Sequence, residues 1–333
     1  MLNIESRRYI GNKTKLSDWI MNLIRRNTDD AHIFCDIFAG TGAITNKAVA
    51  IYDHVIVNDF LYSNNVIYKA FFGSGNWNTD KLNKYAERYN NLNGEVIEDN
   101  YFSINYGNKY FDLPTARITG YIRDDIEGHK DDLTEKEQCI LLASLIYSID
   151  RIANTLGHFE AYIKKPIQRS KFKFELINAK AFDNIDIYRE DSNELARKIH
   201  SDIVYIDPPY NSRQYSRFYH VYEMLIEWKK PKLYGTAMKP KPENMSDYCR
   251  AKALVVFQDL IKNLDTKYIV VSYNNTYNSK SKSSQNRITL EELKATLMTR
   301  GETKVFSHDY NAFQAGKTDL KGHKEYLFIT KSK

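Results

Sequence analysis

The stretch from His32 to Phe72 constrains the fold most. His32-Ile-Phe-Cys-Asp-Ile-Phe38 reads as a short apolar strand, Ala39-Gly-Thr-Gly42 as a tight turn, and Ala43 to Tyr52 as a helix. His54-Val-Ile-Val-Asn-Asp59 follows as a second strand, and Leu61 to Phe72 has helical spacing. A strand that runs through glycines into a helix and back to a strand is a βαβ unit, and its crossover requires a parallel sheet. The alternation resumes near Ile185. Ile185 to Asp191 reads as a strand, Ser192 to His200 as a helix, and Ser201-Asp-Ile-Val-Tyr-Ile-Asp207 as a buried strand. A helix over 219–228, a lysine- and proline-rich loop over 229–242 and a helix over 247–264 come next. Lys267 to Tyr273 is a further strand, and the helix Thr289 to Arg300 stops at Gly301. Thr303 to Tyr310 and His323 to Thr330 close the sheet as an antiparallel pair. The fold class is α/β.

Between these stretches, residues 74–175 lack the strand–helix alternation and read as a mainly helical insertion. The expected domains are 1–73 with 176–333, and the inserted 74–175. Within the insertion Thr134 and Glu137 have the spacing of a capping box opening a helix to about Ala153. A length of 333 residues suits a large domain carrying a smaller one. Hydrophobic residues at 42% and charged residues at 27% exclude wholesale disorder, and a net charge of +6 permits a polyanionic partner without demanding one. Cys35, Cys139 and Cys249 lie far apart, so neither a disulfide framework nor a structural metal site is expected. The longest apolar run, Cys139 to Ile149, is too short to span a bilayer, and the N-terminal segment has no apolar signal region. A cytoplasmic, monomeric protein is expected. The 25 tyrosines accompany heavy Asn, Lys and Ile usage, which an AT-rich genome explains as simply as nucleic-acid contact does.

Two motifs carry chemistry. Asp36-Ile-Phe-Ala-Gly-Thr-Gly42 places glycines where a strand meets a helix, so the backbone can turn sharply and approach a ligand. Asp59, at the end of the next strand, stands where such folds place an acid to accept ribose hydroxyls. The third glycine of the dinucleotide fingerprint is absent, because position 45 is Thr, and there is no P-loop. The second motif is Asp207-Pro-Pro-Tyr210 at a strand end. Two prolines remove two backbone donors and fix both φ angles. The Asp207 carboxylate and the Pro208 carbonyl can then face one point as acceptors, with the Tyr210 ring beside them. A flat heteroaromatic ring bearing an exocyclic amino group uses all three.

In this order, the two motifs resemble those of the S-adenosylmethionine-dependent DNA adenine amino-methyltransferases, in the arrangement of the alpha group, the Dam-like enzymes. Arg8-Tyr-Ile-Gly-Asn-Lys13, Glu190-Asp-Ser192 and Glu325-Tyr-Leu-Phe-Ile-Thr330 are similar to further segments of that family, so the resemblance covers residues 7–72 and 185–330. It implies a Rossmann-like methyltransferase sheet with helices on both faces and an inserted, mainly helical target-recognition domain. It implies S-adenosyl-L-methionine as cofactor, held by Tyr9, Lys13, Asp36, Phe38, Gly40, Gly42, Asp59, Asp191 and Asp207, with Asp207, Pro208 and Tyr210 catalytic and no metal. Asn154-Thr-Leu-Gly-His-Phe159 is similar to a segment of some bacterial relatives and implies a place near the substrate nucleotide. Arg213, Arg217, Asn154, Lys164, Lys165, Arg169 and Lys171 are the expected DNA contacts, with the lysines of 229–242 in support. For any single lysine a solvated surface is the simpler account; as a group they suit phosphates. His158 and His220 are expected to be structural.

The expected reaction is methylation of the N6 amino nitrogen of an adenine flipped from double-stranded DNA. A restriction–modification role is expected, with a cognate endonuclease that forms no stable complex. Three alternatives stay open. Cytosine or RNA could be the substrate, although cytosine enzymes more often carry Ser in place of the Asp of this motif. A nicotinamide-dependent oxidoreductase could use the glycine turn alone. A catalytically silent DNA-binding module would not need Asp207 and Tyr210 intact.

Overall fold

The computed structural model describes residues 1–165, 167, 171–276, 285–309 and 323–333. These residues pack as two compact units. One comprises Met1–Asn12, Leu61–Asp183 and Ser216–Glu243, the other Lys13–Phe60, Asn184–Tyr215 and Asn244–Lys333.

The second unit holds the whole sheet. Its strands are β1 (Ile33–Asp36), β2 (His54–Asn58), β3 (Ile185–Tyr188), β4 (His200–Ile206), β5 (Asp265–Asn274), β6 (Gly301–Asp309) and β7 (Lys324–Ser332), in the order β3-β2-β1-β4-β5-β7-β6. The first five pair in parallel and β7 runs antiparallel to both β5 and β6, as the closing hairpin pattern requires. Strand order reverses between β1 and β4, and open sheets of this kind bind ligands outside the carboxyl ends of the strands at that point. Cys35, Ile37, Val204, Ile206, Ile269 and Val271 form one sheet face, buried beneath the helices Ser192–Ala196, Ala253–Asn263 and Leu290–Met298. The alternate residues face the other way, where Tyr52, just past the helix Ala43–Ala48, stacks on Phe34 at 4.9 Å.

Several boundaries differ from those read in the sequence; the helix read over Ser192 to His200, for one, ends at Ala196, and His200 opens β4. The helix Leu290–Met298 ends before Gly301, and Gly301 instead opens β6. Glycine is needed there because a Cβ would lie 1.9 Å from the Lys331 carbonyl oxygen of β7. The stretch 247–264 divides into a single turn, Asp247–Cys249, and the helix Ala253–Asn263.

The first unit is mainly helical, with Tyr62–Phe71, Thr79–Asn90, Leu113–Gly128 and Glu135–Asp150 as its long helices. It draws in residues 61–73 and 216–243 as well as most of 74–175. Thr134 and Glu137 form the expected reciprocal capping box, and Glu137 also accepts from Lys81 at 2.7 Å. Glu223 caps the helix Tyr62–Phe71 from a distance, accepting from the backbone N–H groups of Tyr62 and Ser63 at 3.0 and 2.9 Å. Among the described residues no helix is long and apolar enough to cross a membrane, and no group of side chains is arranged to hold a metal ion.

Candidate active site

β4 delivers its C-terminal end directly into Asp207-Pro-Pro-Tyr210, next to the point where strand order reverses. Asp207 Oδ1 receives the Lys13 ammonium at 3.0 Å and the Tyr210 hydroxyl. The same ammonium lies 3.0 Å from Glu325 Oε1 and donates to Tyr210 Oη at 2.6 Å. Glu325 Oε1 also accepts from Ser272 Oγ at 2.9 Å and lies 3.0 Å from Tyr210 Oη. Four groups, one cation, two carboxylates and a phenol, thus share one small volume. Their side chains are well covered: Lys13 is 7% exposed, Glu325 3% and Asp207 16%.

Burial dominates the electrostatics of this cluster. It pushes the Asp207 carboxyl up to about 6, with Glu325 adding to the rise and Lys13 and Tyr210 opposing it. Burial alone would lower the Lys13 ammonium, but Asp207 and Glu325 outweigh it and hold the amine protonated. The Tyr210 phenol is raised by burial and by the two carboxylates.

The remaining acceptors of the motif are open. Among the described residues no donor reaches Asp207 Oδ2 or the Pro208 carbonyl. The strand tip therefore presents two oxygen acceptors side by side in sequence with their hydrogen-bonding capacity unspent. The Tyr210 ring, expected as a platform next to them, packs edge-on against Tyr273 at 4.6 Å, and its carbonyl accepts from the Arg287 N–H at 2.7 Å. Its hydroxyl and ring are both anchored.

The glycine turn closes the other side of the reversal point. Gly40 and Gly42 have φ of 54° and 77°, the left-handed region that glycine tolerates best. The Gly40 N–H donates to Asp59 Oδ2 at 3.0 Å, so the acid at the end of β2 is tied to the turn. Asp36 is buried beneath it. Its Oδ2 accepts from Thr45 Oγ1 at 2.7 Å, while its Oδ1 is buried with no partner among the described residues. Burial raises this carboxyl to about 7, with Asp207 and Asp59 contributing and Thr45 opposing. Phe38 packs edge-on against Tyr248 at 5.0 Å. Asp191 caps the helix Ser192–Ala196, its Oδ1 accepting from the Asn193 N–H at 2.9 Å.

Other expected residues fall in the helical unit. The Tyr9 ring stacks on Tyr219 at 4.5 Å. Asn154 pins its own loop, donating to the carbonyls of Lys109 and Ile163 at 2.9 and 3.0 Å. Arg217 donates to the Pro240 carbonyl at 2.7 Å, fastening the 229–242 loop. Within and beside that loop Lys230 pairs with Asp124 and Lys239 with Glu160, each at 2.6 Å. Lys164, Lys165 and Lys171 are exposed, while Arg169 lies outside the described residues. His158 stacks on Phe218 at 4.7 Å, and His220 is buried between the Arg217 and Ala237 carbonyls, with burial lowering it to about 3. In the sheet unit Arg213 follows the acceptor motif, its backbone N–H bonded to Asn211 Oδ1 at 3.1 Å.

Three site residues escaped the sequence reading. Glu325 and Ser272 reach the cluster from β7 and β5; Glu325 stood in the segment similar to the family's last strand without a site role, and the signal for Ser272 was a polar group inside an apolar strand. Asn58 is fully buried at the end of β2 and bridges three strand ends, donating to the Ile37 and Glu190 carbonyls at 3.1 Å and accepting from the Glu190 N–H at 2.9 Å.

Residues 9–290 match the family of D12 class N6 adenine-specific DNA methyltransferases. The chain is 28% identical to the modification methylase LlaI of Lactococcus lactis subsp. lactis and 31% identical to the type II methyltransferase M.FokI of Planomicrobium okeanokoites, each over 96% of its length. It spans about half of those two relatives, 53% and 52% respectively. It is also 31% identical to the type II methyltransferase M.CviAII of Paramecium bursaria Chlorella virus 1, over 96% of this chain and 97% of the relative. With the glycine turn and the acceptor motif both inside the matched span, the chain belongs to the D12 class of N6 adenine-specific DNA methyltransferases.

Proposed function

We propose that this chain methylates the N6 amino nitrogen of adenine at a specific site in double-stranded DNA, with S-adenosyl-L-methionine as the methyl donor. One observation carries the reading: among the described residues no donor reaches Asp207 Oδ2 or the Pro208 carbonyl at the strand tip. The amino nitrogen of adenine is a poor nucleophile because its lone pair is delocalised into the ring. Two acceptors for its two protons return density to that lone pair and offset the positive charge that develops on nitrogen. Tyr210, fixed by Lys13 and Tyr273, supports the purine edge and holds the nitrogen in line. A base within a duplex cannot reach a strand tip, so the adenine is flipped, at about a few kcal/mol of unstacking.

The donor set suits S-adenosyl-L-methionine. Asp207 and Glu325 flank the Lys13 ammonium and Asp36 feels the charges of Asp207 and Asp59, a local excess of carboxylates that favours a cationic ligand. Asp36 Oδ1, buried and without a partner among the described residues, is an unspent polar atom near the turn. When bound, the cofactor supplies an electrophilic methyl group on a sulfonium. Gly40 and Gly42 let the backbone approach it, and Asp59 accepts from its ribose.

The relatives' names, modification methylase and type II methyltransferase, support a restriction–modification role. We assign the chain to the cytoplasm as a monomer, with the helical unit reading the target site and Lys164, Lys165, Lys171 and Arg213 contacting phosphates. Asp207→Ala tests the reading. Methyl transfer to duplex DNA should be abolished while DNA affinity stays within about threefold, because phosphate contacts dominate affinity. Full activity in that variant would remove Asp207 from the chemistry.

A further inference from the structure

Glu325 belongs to neither chemical motif, yet it is the most deeply covered charge of the cluster. The Lys13 ammonium lies midway, 3.0 Å from Glu325 Oε1 and 3.0 Å from Asp207 Oδ1. The two carboxylates are not equally free to move. Glu325 sits in β7, opposite Asn274 of β5 and His308 of β6, and Ser272 pins its oxygen at 2.9 Å. Asp207 lies past the end of β4, ahead of two prolines that make no ladder bonds. An oxygen that already holds an ammonium and a phenol polarises an incoming N–H weakly, because its negative charge is largely neutralised. Something fixed must therefore retain the lysine and the tyrosine when substrate arrives.

We propose that Glu325 is a positioning residue that shares the Lys13 ammonium and the Tyr210 hydroxyl with Asp207, limiting how far they neutralise the Asp207 carboxylate and leaving it able to accept from the target amino group. The inference rests on the acceptor role proposed for Asp207. Lys13 comes from the N-terminal segment, Tyr210 and Asp207 from the acceptor motif, Ser272 from β5 and Glu325 from β7, so the device joins four separate parts of the sheet unit. The other titratable groups that act on it are Tyr205 of β4, His323 just before β7, and Asp36 at the end of β1. Without Glu325 the lysine has one carboxylate left to neutralise, and that carboxylate is Asp207.

The test uses the full chain, tritiated S-adenosyl-L-methionine and duplex DNA free of N6-methyladenine. In Glu325→Gln, kcat should fall by about tenfold or more while KM for DNA changes less than about twofold, since the loss falls on the chemical step. The acid limb of the pH–rate profile should move down by about one pH unit, because Lys13 then stabilises only the Asp207 carboxylate. Adding Lys13→Met to Glu325→Gln should raise kcat again at saturating cofactor. Ser272→Ala, which keeps every charge of the cluster, should shift the limb in the same direction by a smaller step and guards against misfolding of the first variant. A fall in amplitude with an unmoved limb, or additive losses in the double variant, would overturn the inference and leave Glu325 a structural acid. Wild-type behaviour of Glu325→Gln beside an inactive Asp207→Ala would sink this inference alone. Full activity of Asp207→Ala would sink the acceptor reading beneath it.

Discussion

Lys13→Met deletes the one cation between two covered carboxylates while keeping most of the side chain's length. In the native cluster Lys13 Nζ lies 3.0 Å from both Asp207 and Glu325. Its removal leaves both acids to share the single proton of the Tyr210 hydroxyl. Breaking a buried ion pair by removing one partner costs about 3–5 kcal/mol. The 16% exposure of Asp207 lets water screen part of that, which puts the expected loss near the lower end, about 3 kcal/mol. The loss must depend on pH. The Asp207 carboxyl already titrates at about 6 rather than at its ordinary 3.8, and without Lys13 to oppose burial and Glu325 it moves higher. A carboxyl whose folded value lies above its unfolded value subtracts nothing at low pH. It removes stability as pH rises from the unfolded value through the folded one. The deficit of the variant should thus be small near about pH 5, where the shared proton is replaced by a bound one, and complete by about pH 8. Thermal unfolding of both proteins across that range is the assay. The transition of the sheet unit should drop by about 5–10 °C at the alkaline end and by much less at the acid end. A loss equal at both ends, or below about 1 kcal/mol throughout, would refute the view that Lys13 holds two ionised carboxylates together.

Two further outcomes are expected. Asp36 is raised to about 7 from an ordinary 3.8, so the native protein should lose stability as pH rises through that window, by at most about 4 kcal/mol. Asp36→Asn should flatten this slope in urea denaturation at several pH values, and a slope that survives would assign it to other groups. DNA affinity should fall linearly on a log–log salt plot, and changing Lys164, Lys165 and Lys171 together to Ala should reduce the slope by about 2–3 if all three touch phosphates. An unchanged slope would leave those lysines as solvated surface.

Much of the sheet was legible because its signals are local. The run from His32 to Asp59 specifies strand, turn, helix and strand within one continuous segment, and β1 and β2 form there. The capping box at Thr134 and Glu137 is a four-residue pattern, and the runs Thr303 to Tyr310 and His323 to Thr330 each read as a strand on their own, the pair found as antiparallel β6 and β7. The acceptor motif was legible for the same reason, since prolines fix its backbone wherever it occurs. The partners of that motif were not. Glu325 and Ser272 become neighbours only because β7 runs antiparallel beside β5, a pairing that no local pattern encodes. The fate of the Tyr210 ring was hidden likewise, because Tyr273, which holds it edge-on, comes from β5. The lysines of 229–242 misled in the opposite sense. Their density suggests a free basic loop, whereas Asp124 and Glu160 neutralise two of them from distant positions.

The charge of the site and the charge of the chain point in opposite directions, and the proposed reaction needs both. The chain as a whole carries +6, but its strand tip sets Asp207 and Glu325 on either side of one lysine, with Asp36 within the field of Asp207 and Asp59. A phosphate cannot be gripped by such a cluster, because like charges at short range in a covered site repel strongly. A sulfonium ligand with an ammonium group gains from the same field. Phosphate contacts must then be made by side chains outside the cluster, and the exposed Lys164, Lys165 and Lys171 are of the right sign. The division also explains why a lysine is tolerated at the centre of the acceptor motif. The two carboxylates need a counter-charge, and Lys13 supplies it from 3.0 Å to each. The acidity that makes the tip a poor place for a phosphate is thus what suits it to the positively charged methyl donor proposed for it.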